Sequence, residues 1–184
     1  MRAFVALELP SEQVIANIVS IQQELTKCGA DIKLVERQNL HFTVKFLGEI
    51  TGDQAEEAKR RLGSLQLGSV EVMIGGVGAF PGATRPSVIW LGVSERDRPA
   101  LAELARSAIR ALEGIGEDDR RGFQPHLTLA RVRSGKNMDA LSSFIRLKSE
   151  AEIGTVRLNE IKLKSSILTP RGPVYADIGV YRLN

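Results

Sequence analysis

Apolar and polar residues follow short-range patterns along the first half of the chain, and these patterns predict both strands and helices. Alternation or short apolar runs predict strands at 2–9, 32–36, 41–47, 70–77 and 87–93. An apolar stripe at helical spacing predicts a helix that Ser11 caps and Gly29 ends. A second helix is predicted over 53–65, where charged residues occupy the exposed side.

The second half of the chain repeats this mixture of elements. It predicts, in order, a helix over 98–113, a strand at 124–132, a helix over 137–147 and two alternating segments at 153–167 and 173–182. Because strands and helices are mixed without strict strand–helix–strand alternation, the pattern indicates an α+β fold. No low-complexity segment or linker interrupts the chain, so residues 1–184 are expected to form a single domain.

The strand predicted at 41–47 carries polar groups in an unusual arrangement. In the stretch HFTVKFLG, alternation puts Phe42, Val44 and Phe46 on one side and His41, Thr43 and Lys45 on the other. An imidazole, a hydroxyl and an ammonium group would each need a partner if they were buried. The pattern therefore predicts that the polar side of this strand faces a cleft.

The same motif occurs a second time, close to half the chain further on. HFTV at residues 41–44 has a counterpart in HLTL at residues 126–129. The chain contains only two histidines and seven threonines, yet each histidine is followed two positions later by a threonine. The repeat predicts two lobes of similar build that face each other.

Two histidines with two threonines suit acid–base chemistry better than other kinds of site. A zinc site needs three or four ligands, and neither histidine has a cysteine or a second histidine nearby in the sequence. A serine or cysteine nucleophile would leave the second histidine without a role. One imidazole accepting and one donating a proton fits an in-line displacement at phosphorus, with the threonine hydroxyls donating to non-bridging oxygens and no metal required. The pattern does not assign which histidine is the acid.

These segments resemble the paired His-x-Thr-x signatures of the 2H phosphoesterase superfamily. Within it, the chain is similar over nearly its full length to the RNA 2′,3′-cyclic phosphodiesterases, also called 2′-5′ RNA ligases. Besides HFTVKFLG and PHLTLARV, the similar segments are MRAFVAL, GVGAFP, VIWLGV and SSILTPRGPVYADIG. The resemblance implies a bilobal α+β fold with an antiparallel sheet and flanking helices in each lobe, and a central cleft that carries both motifs.

The resemblance also implies an activity and a role for each motif residue. The implied activity is metal-independent hydrolysis of a terminal 2′,3′-cyclic phosphate on RNA to a 2′-phosphomonoester, with 2′-5′ ligation as a side reaction. On this sequence it makes His41 the proton donor and His126 the acceptor that activates water, with Thr43 and Thr128 beside them. No cofactor and no obligatory protein partner are expected, and the expected substrate is an RNA 3′ end with a 2′,3′-cyclic phosphate.

Basic residues near the motifs are candidates for binding phosphate. Arg131 is able to clamp a phosphate, although strict alternation points it away from the second histidine unless the strand bulges. Lys45 is expected to attract phosphate from the side of the first histidine, the alternative being a solvated lysine at the end of a strand. Arg120, Arg121 and Arg133 are candidates for contacts with an RNA backbone, the alternative being an ordinary exposed loop.

Aromatic residues near the motifs are candidates for stacking on a base. Phe80 and Phe123 are predicted in loops, where an exposed ring is able to stack on a nucleotide next to the scissile phosphate, the alternative being a position in the hydrophobic core. Trp90 falls within an apolar strand, so it is expected to be structural. The sequence therefore predicts substrate-binding roles for the first two rings only.

The bulk properties are those of an ordinary globular protein. The chain is 43% hydrophobic and 26% charged, and its formal net charge of +3 is compatible with an anionic partner. The single cysteine, Cys28, excludes an internal disulfide and fits a reducing compartment. No membrane span or secretory signal is expected, which favours a cytoplasmic protein.

Two other functions are compatible with the same residues. The first is a non-catalytic module that binds nucleotides or RNA ends through histidines that only hydrogen-bond to phosphate. The second is a cyclic phosphodiesterase that acts on small nucleotides rather than RNA. Turnover distinguishes the first alternative, and a comparison of mononucleotides with oligonucleotides distinguishes the second.

Overall fold

A computed structural model describes residues 1–117 and 122–184 of the chain. Within these residues the strands are β1 (Arg2–Glu8), β2 (Ile32–Leu34), β3 (His41–Glu49), β4 (Val70–Phe80), β5 (Val88–Val93), β6 (Leu127–Val132), β7 (Glu152–Leu158), β8 (Glu160–Thr169) and β9 (Gly172–Arg182). The helices are α1 (Glu12–Thr26), α2 (Gly52–Gly63), α3 (Arg98–Ala111) and α4 (Met138–Leu147), with a short 3₁₀ helix at Arg37–Asn39. In this part of the chain, no helix has both the length and the apolar character needed to cross a bilayer.

The mixture of strands and helices confirms the predicted α+β class. The predicted cap of α1 is also confirmed, because the Ser11 side chain accepts a hydrogen bond from the amide of Val14. Three predicted strand boundaries are wrong, the first being that of β4, which extends to Phe80 rather than ending near residue 77. The strand expected from residue 124 begins only at Leu127, since Pro125 has no amide hydrogen to donate to a neighbouring strand. The segment expected as one strand over 153–167 is divided at Asn159 into β7 and β8.

All nine strands join one antiparallel sheet. Their order is β7-β4-β5-β6-β3-β1-β8-β9, with β2 pairing with β6 as well. The halves that were expected as separate sheets are therefore joined, and the junction lies between β3 and β6. The segment is divided at Asn159 because β7 and β8 belong to opposite halves of the sheet. The two motif strands are thus the innermost strands of the two halves.

The hydrophobic core lies on one face of this sheet. The buried apolar residues of all four helices belong to the same cluster as the inward-facing strand residues, which on β1 are Ala3, Val5 and Leu7. Alternate residues of each strand point to the other face. We call this second face the open face; on β1 it carries Phe4, Ala6 and Glu8.

Candidate active site

The two His-x-Thr motifs meet at the centre of the sheet. Phe42 of β3 and Leu127 of β6 are antiparallel register partners, and both side chains are fully buried in the core. Extending this register by one residue on each side puts each motif histidine opposite the threonine of the other motif. Residues that oppose each other on one face of a sheet have Cβ atoms about 5 Å apart. The pairing therefore brings both motifs together on the open face, related by a local two-fold axis.

Each motif strand contains one extra residue directly after its threonine. In β3 the register with β1 skips Val44, and in β6 the register with β5 skips Leu129. A bulge of this kind reverses the alternation of the side chains beyond it. Phe46 and Arg131 therefore share the open face with the histidines, and both are exposed. For Arg131 this is the bulged arrangement in which its side chain was expected to reach the site.

The bulge in β3 also removes Lys45 from the open face, so its predicted placement beside His41 is wrong. The Lys45 side chain is buried, and its ammonium group donates a hydrogen bond of 3.2 Å to the carbonyl of Leu112 at the end of α3. Because α3 packs on the core face, this contact turns the lysine away from the motifs. We therefore leave Lys45 out of the candidate site.

Both imidazole rings are oriented by the backbone that precedes them. Nδ1 of His41 lies 2.7 Å from the carbonyl oxygen of Asn39, and Nδ1 of His126 lies 2.7 Å from the carbonyl oxygen of Gln124. A carbonyl oxygen only accepts hydrogen bonds, so Nδ1 is the protonated nitrogen in each neutral ring. In both rings Nε2 is therefore the atom that takes up or gives away a proton.

The ring of His41 is enclosed by aromatic side chains. Its centroid lies 5.2 Å from that of Phe4, and it meets the ring of Tyr175 edge-on at 5.7 Å. The hydroxyl of Thr43 lies 3.0 Å from Nε2 and donates to it when the ring is neutral. The first histidine therefore has both an apolar enclosure and a hydroxyl partner from its own motif.

This enclosure changes the acidity of His41. Burial is the largest cause, and it lowers the pKa of the imidazole below its usual value. The positive charge of Lys164 lowers this pKa further, as does protonation of His126, whereas the carbonyl of Asn39 and the carboxylate of Glu8 oppose the change. In the free protein at neutral pH the ring is accordingly uncharged.

The second histidine lies beside a pair of aromatic rings. The ring of Phe80 meets that of His126 edge-on, with 5.0 Å between the ring centroids, and the Phe80 ring also contacts that of Trp90 at 5.2 Å. Phe80 is the last residue of β4, so the prediction that it lies in a loop is wrong. Trp90, which was expected to be structural, is the register partner of Thr128 on the open face. Two aromatic side chains therefore extend the open face from His126 toward β4 and β5.

Several predicted candidates do not join the motifs. Phe123 packs half-buried against the hydrophobic core, and among the described ring contacts it makes none with a histidine. Arg133 is exposed at the far end of β6, while Arg120 and Arg121 lie outside the described residues. Within residues 1–117 and 122–184, no three His, Cys, Asp or Glu side chains are grouped closely enough to hold a metal ion.

Three aromatic residues of the open face were missed by sequence reasoning. Phe46 is 51% exposed and follows Thr43 by three positions, as Arg131 follows Thr128. This shared spacing is the signal that would have identified Phe46. Phe4 and Tyr175 lie on β1 and β9, where no comparable spacing marks them.

Tyr175 also connects the two motifs electrostatically. Burial raises the pKa of its phenol, and the positive charge of Arg131 acts against that rise. The ring of Tyr175 contacts that of His41 edge-on, and Arg131 is exposed on the same open face. The open face thus combines two imidazoles, two threonine hydroxyls and one guanidinium at the junction of the sheet.

Comparison with known proteins finds matches over the whole chain. A family model described as "AKAP7 2'5' RNA ligase-like domain" matches residues 3–183. The chain is 35% identical over 189 residues to the RNA 2',3'-cyclic phosphodiesterase of Methanothermobacter thermautotrophicus, covering 100% of this chain and 99% of that protein. It is 37% identical over 168 residues to the protein of the same name from Aquifex aeolicus, covering 87% and 88%. The crystal structure of E. coli LigT in apo form has a similar fold, with a TM-score of 0.77, 22% identity and coverage of 100% and 97%.

Proposed function

The chain belongs to the AKAP7 2'5' RNA ligase-like family, and we propose that it hydrolyses the 2′,3′-cyclic phosphodiester at RNA 3′ ends to a 2′-phosphomonoester. The observation that carries this proposal is the pairing of Phe42 with Leu127, which brings both motifs to one face of one sheet. The relatives that are named RNA 2',3'-cyclic phosphodiesterases support the substrate class.

In the proposed reaction, water attacks phosphorus in line with the bond to the ribose 3′ oxygen. Nε2 of His126 accepts a proton from the water as the water oxygen bonds to phosphorus. Nε2 of His41 gives a proton to the 3′ oxygen as the bond between phosphorus and that oxygen breaks. The product carries a phosphomonoester on the 2′ oxygen and a free 3′ hydroxyl. This order of roles is the one that the family resemblance implies.

The environment of His41 supports its role as the proton donor. A lowered pKa makes the protonated ring a stronger acid, which favours transfer of its proton to the departing oxygen. The negative charge of a bound cyclic phosphate raises the pKa of a neighbouring imidazole. Substrate binding is therefore expected to protonate His41, and the departing oxygen then receives this proton.

Three further groups are proposed to hold the phosphate. The hydroxyls of Thr43 and Thr128 share the open face with the histidines, so they can donate to the two non-bridging oxygens as negative charge develops there. In the free protein the Thr43 hydroxyl donates a hydrogen bond to Nε2 of His41. When Nε2 is protonated it no longer accepts this bond, so the hydroxyl then donates to the phosphate. Arg131 supplies a fixed positive charge on the same face.

The aromatic residues of the open face are proposed to hold the bases. Phe46 and Phe80 lie on opposite sides of the motif pair, the first near His41 by way of Phe4 and the second against His126. An aromatic ring that stacks on a base contributes about 1–3 kcal/mol to single-strand binding. The terminal base is therefore proposed to stack on one of these two rings while the cyclic phosphate occupies the site between the histidines.

We propose RNA 3′ ends as the substrate and no cofactor, since each step above uses only side chains of this chain. A reducing compartment such as the cytoplasm is proposed as the place of action. It is supported by the unpaired thiol of Cys28, the single cysteine of the sequence.

Identification of the product by phosphorus NMR tests this function. We expect an oligoribonucleotide with a 2′,3′-cyclic phosphate to be converted, in the presence of EDTA, into the 2′-monoester. We also expect a higher kcat/KM than for the corresponding cyclic mononucleotide, because the oligomer gains contacts beyond the terminal base. A 3′-monoester, a requirement for a divalent metal, or tight binding without turnover would each contradict the proposal.

A further inference from the structure

Four charged side chains on the open face form a closed set of ion pairs, which we call the charged cluster: Glu8, Lys162, Lys164 and Asp177. Lys162 donates to Glu8 at 2.6 Å and to Asp177 at 2.9 Å. Lys164 donates to the same two carboxylates through their other oxygens. The two positive and two negative charges balance. Both carboxylates are shared by both lysines, so each lysine has two acceptors.

The charged cluster lies directly beside the first motif histidine. Glu8 is the register partner of His41 between β1 and β3, so the two side chains are neighbours on the open face. Lys164 is the register partner of Phe4 between β8 and β1, and the Phe4 ring contacts the ring of His41. Asp177 pairs with Lys164 from β9. Charged side chains from the three strands β1, β8 and β9 therefore lie on the same side of one imidazole.

The burial of the charged cluster makes its charges effective at short range. Lys164 is 6% exposed, although lysine is almost never this buried unless it is paired. For Glu8, burial by itself raises the pKa of the carboxyl, but the hydrogen bonds and charges of Lys162 and Lys164 outweigh burial and lower this pKa. Both signs of charge are thus fixed beside the histidine at neutral pH, in surroundings that screen them less than water does.

We propose that the charged cluster sets the proton affinity of His41, with Lys164 and Glu8 acting on it as positioning residues of opposite sign. Neither residue touches the reacting atoms; both act through the imidazole. The inference builds on the proposed function, in which His41 is the proton donor. Lys164 makes the protonated ring a stronger acid, and Glu8 limits the effect so that the ring is still able to take up a proton when the anionic substrate binds.

The separate effects of the two residues on His41 support the inference. The charge of Lys164 lowers the pKa of His41 and the charge of Glu8 raises it, with Lys164 exerting the larger effect. Among residues 1–117 and 122–184, the titratable and charged groups on the open face around His41 are Arg2 and Glu8 from β1, Lys162 and Lys164 from β8, Tyr175 and Asp177 from β9, Arg131 from β6 and His126 directly before β6. Lys162 has the same two carboxylate partners as Lys164, but its effect on the pKa of His41 is smaller than that of Lys164. Comparing the two lysines therefore separates the charge that acts on His41 from the loss of the carboxylate contacts.

The test is a pH titration of His41 followed by NMR in protein with ¹³C-labelled histidine. Only two histidine signals are present, and single substitutions assign them. We expect Lys164→Met to raise the midpoint of the His41 titration, because a neighbouring positive charge is removed. We expect Glu8→Gln to lower it, because a negative charge is removed and Lys164 loses a partner. The His41-dependent limb of the pH–rate profile should move in the same directions.

Two control variants make the result decisive. Arg106→Met removes a positive charge from the exposed side of α3 and should leave the midpoint unchanged. Lys162→Met breaks the same pair of carboxylate contacts as Lys164→Met and should shift the midpoint less. Equal shifts for the two lysine variants indicate a structural role and overturn the inference, as do shifts of the same sign for Lys164→Met and Glu8→Gln.

Loss of the fold in one variant does not prevent a decision. If Lys164→Met is unfolded by circular dichroism, the sign of the shift in Glu8→Gln decides alone, and a rise or no change overturns the inference. The readout is independent of turnover, so a protein that binds RNA ends without hydrolysing them still shows the opposite shifts. Failure of the proposed function and failure of this inference are therefore distinguishable.

Discussion

Replacing either His41 or His126 with alanine should lower kcat on an oligoribonucleotide with a 2′,3′-cyclic phosphate about 10²- to 10⁴-fold, the usual contribution of a general acid or base. In each ring the backbone occupies Nδ1 and leaves Nε2 for the reaction, so alanine removes the group that transfers the proton. The rates are to be measured in EDTA under single-turnover conditions, which separate chemistry from product release.

The control for this experiment is the stability of each variant. The ring of His126 is partly exposed and that of His41 packs against Phe4 and Tyr175, so the midpoint of thermal unfolding is measured for each variant, and rates are compared only for variants that remain folded. The rate of the double variant should be only slightly lower than that of the slower single variant, because both groups act in one displacement step. If either alanine variant keeps nearly the full rate, the two-histidine mechanism is wrong.

Replacing Phe42 with alanine should lower the free energy of unfolding by about 3–5 kcal/mol, the cost typical of deleting a buried aromatic ring. Phe42 is fully buried, and with Leu127 it forms the register pair at which the halves of the sheet meet. The remaining cavity lies directly beneath both motifs. We therefore also expect kcat to fall in the folded fraction, because the spacing of the two imidazoles is no longer fixed. Denaturant unfolding and single-turnover rates measure the two effects.

Phe46→Ala is the matched control, since it removes the same ring from the same strand. Phe46 is 51% exposed on the open face, so its loss should cost about 1 kcal/mol or less. Equal stability losses for the two phenylalanine variants would show that the junction at Phe42 does not hold the halves together. A Phe42→Ala variant with the stability of the unsubstituted protein would show the same.

Sequence reasoning predicted the motif residues and most elements because both depend on short-range patterns. The helical stripe and the Ser11 cap identify α1, and the repeat of His-x-Thr identifies both motif strands. The opposed register of the two motifs was beyond prediction, because it depends on the order of strands in the sheet. The same holds for the joining of the two halves into one sheet through a single register pair.

The side assigned to Lys45 shows why strand alternation failed beyond the motifs. A bulge is one extra residue relative to a partner strand, and here those partners are β1 for β3 and β5 for β6. Nothing in HFTVKFLG itself marks Val44 as the skipped residue. Comparing the two motifs would have helped, because Phe46 and Arg131 occupy the same position and a shared bulge explains both.

The charged cluster was also out of reach of the sequence. Glu8 lies near the start of the chain, whereas Lys162, Lys164 and Asp177 lie near its end. They meet because β1 pairs with β8 and β8 pairs with β9. Contacts between strands so far apart in sequence follow from topology, and alternation within each strand gives only the face on which each charge lies.

The central claim is that the two imidazoles flank one phosphate, and a ligand titration tests it most directly. Protein with ¹³C-labelled histidine is titrated in EDTA with adenosine 2′-phosphate, which carries the proposed product group. We predict that the signals of His41 and His126 both shift and follow one saturation curve with a single Kd. A response from only one histidine, or two curves with different Kd values, would contradict a shared phosphate site.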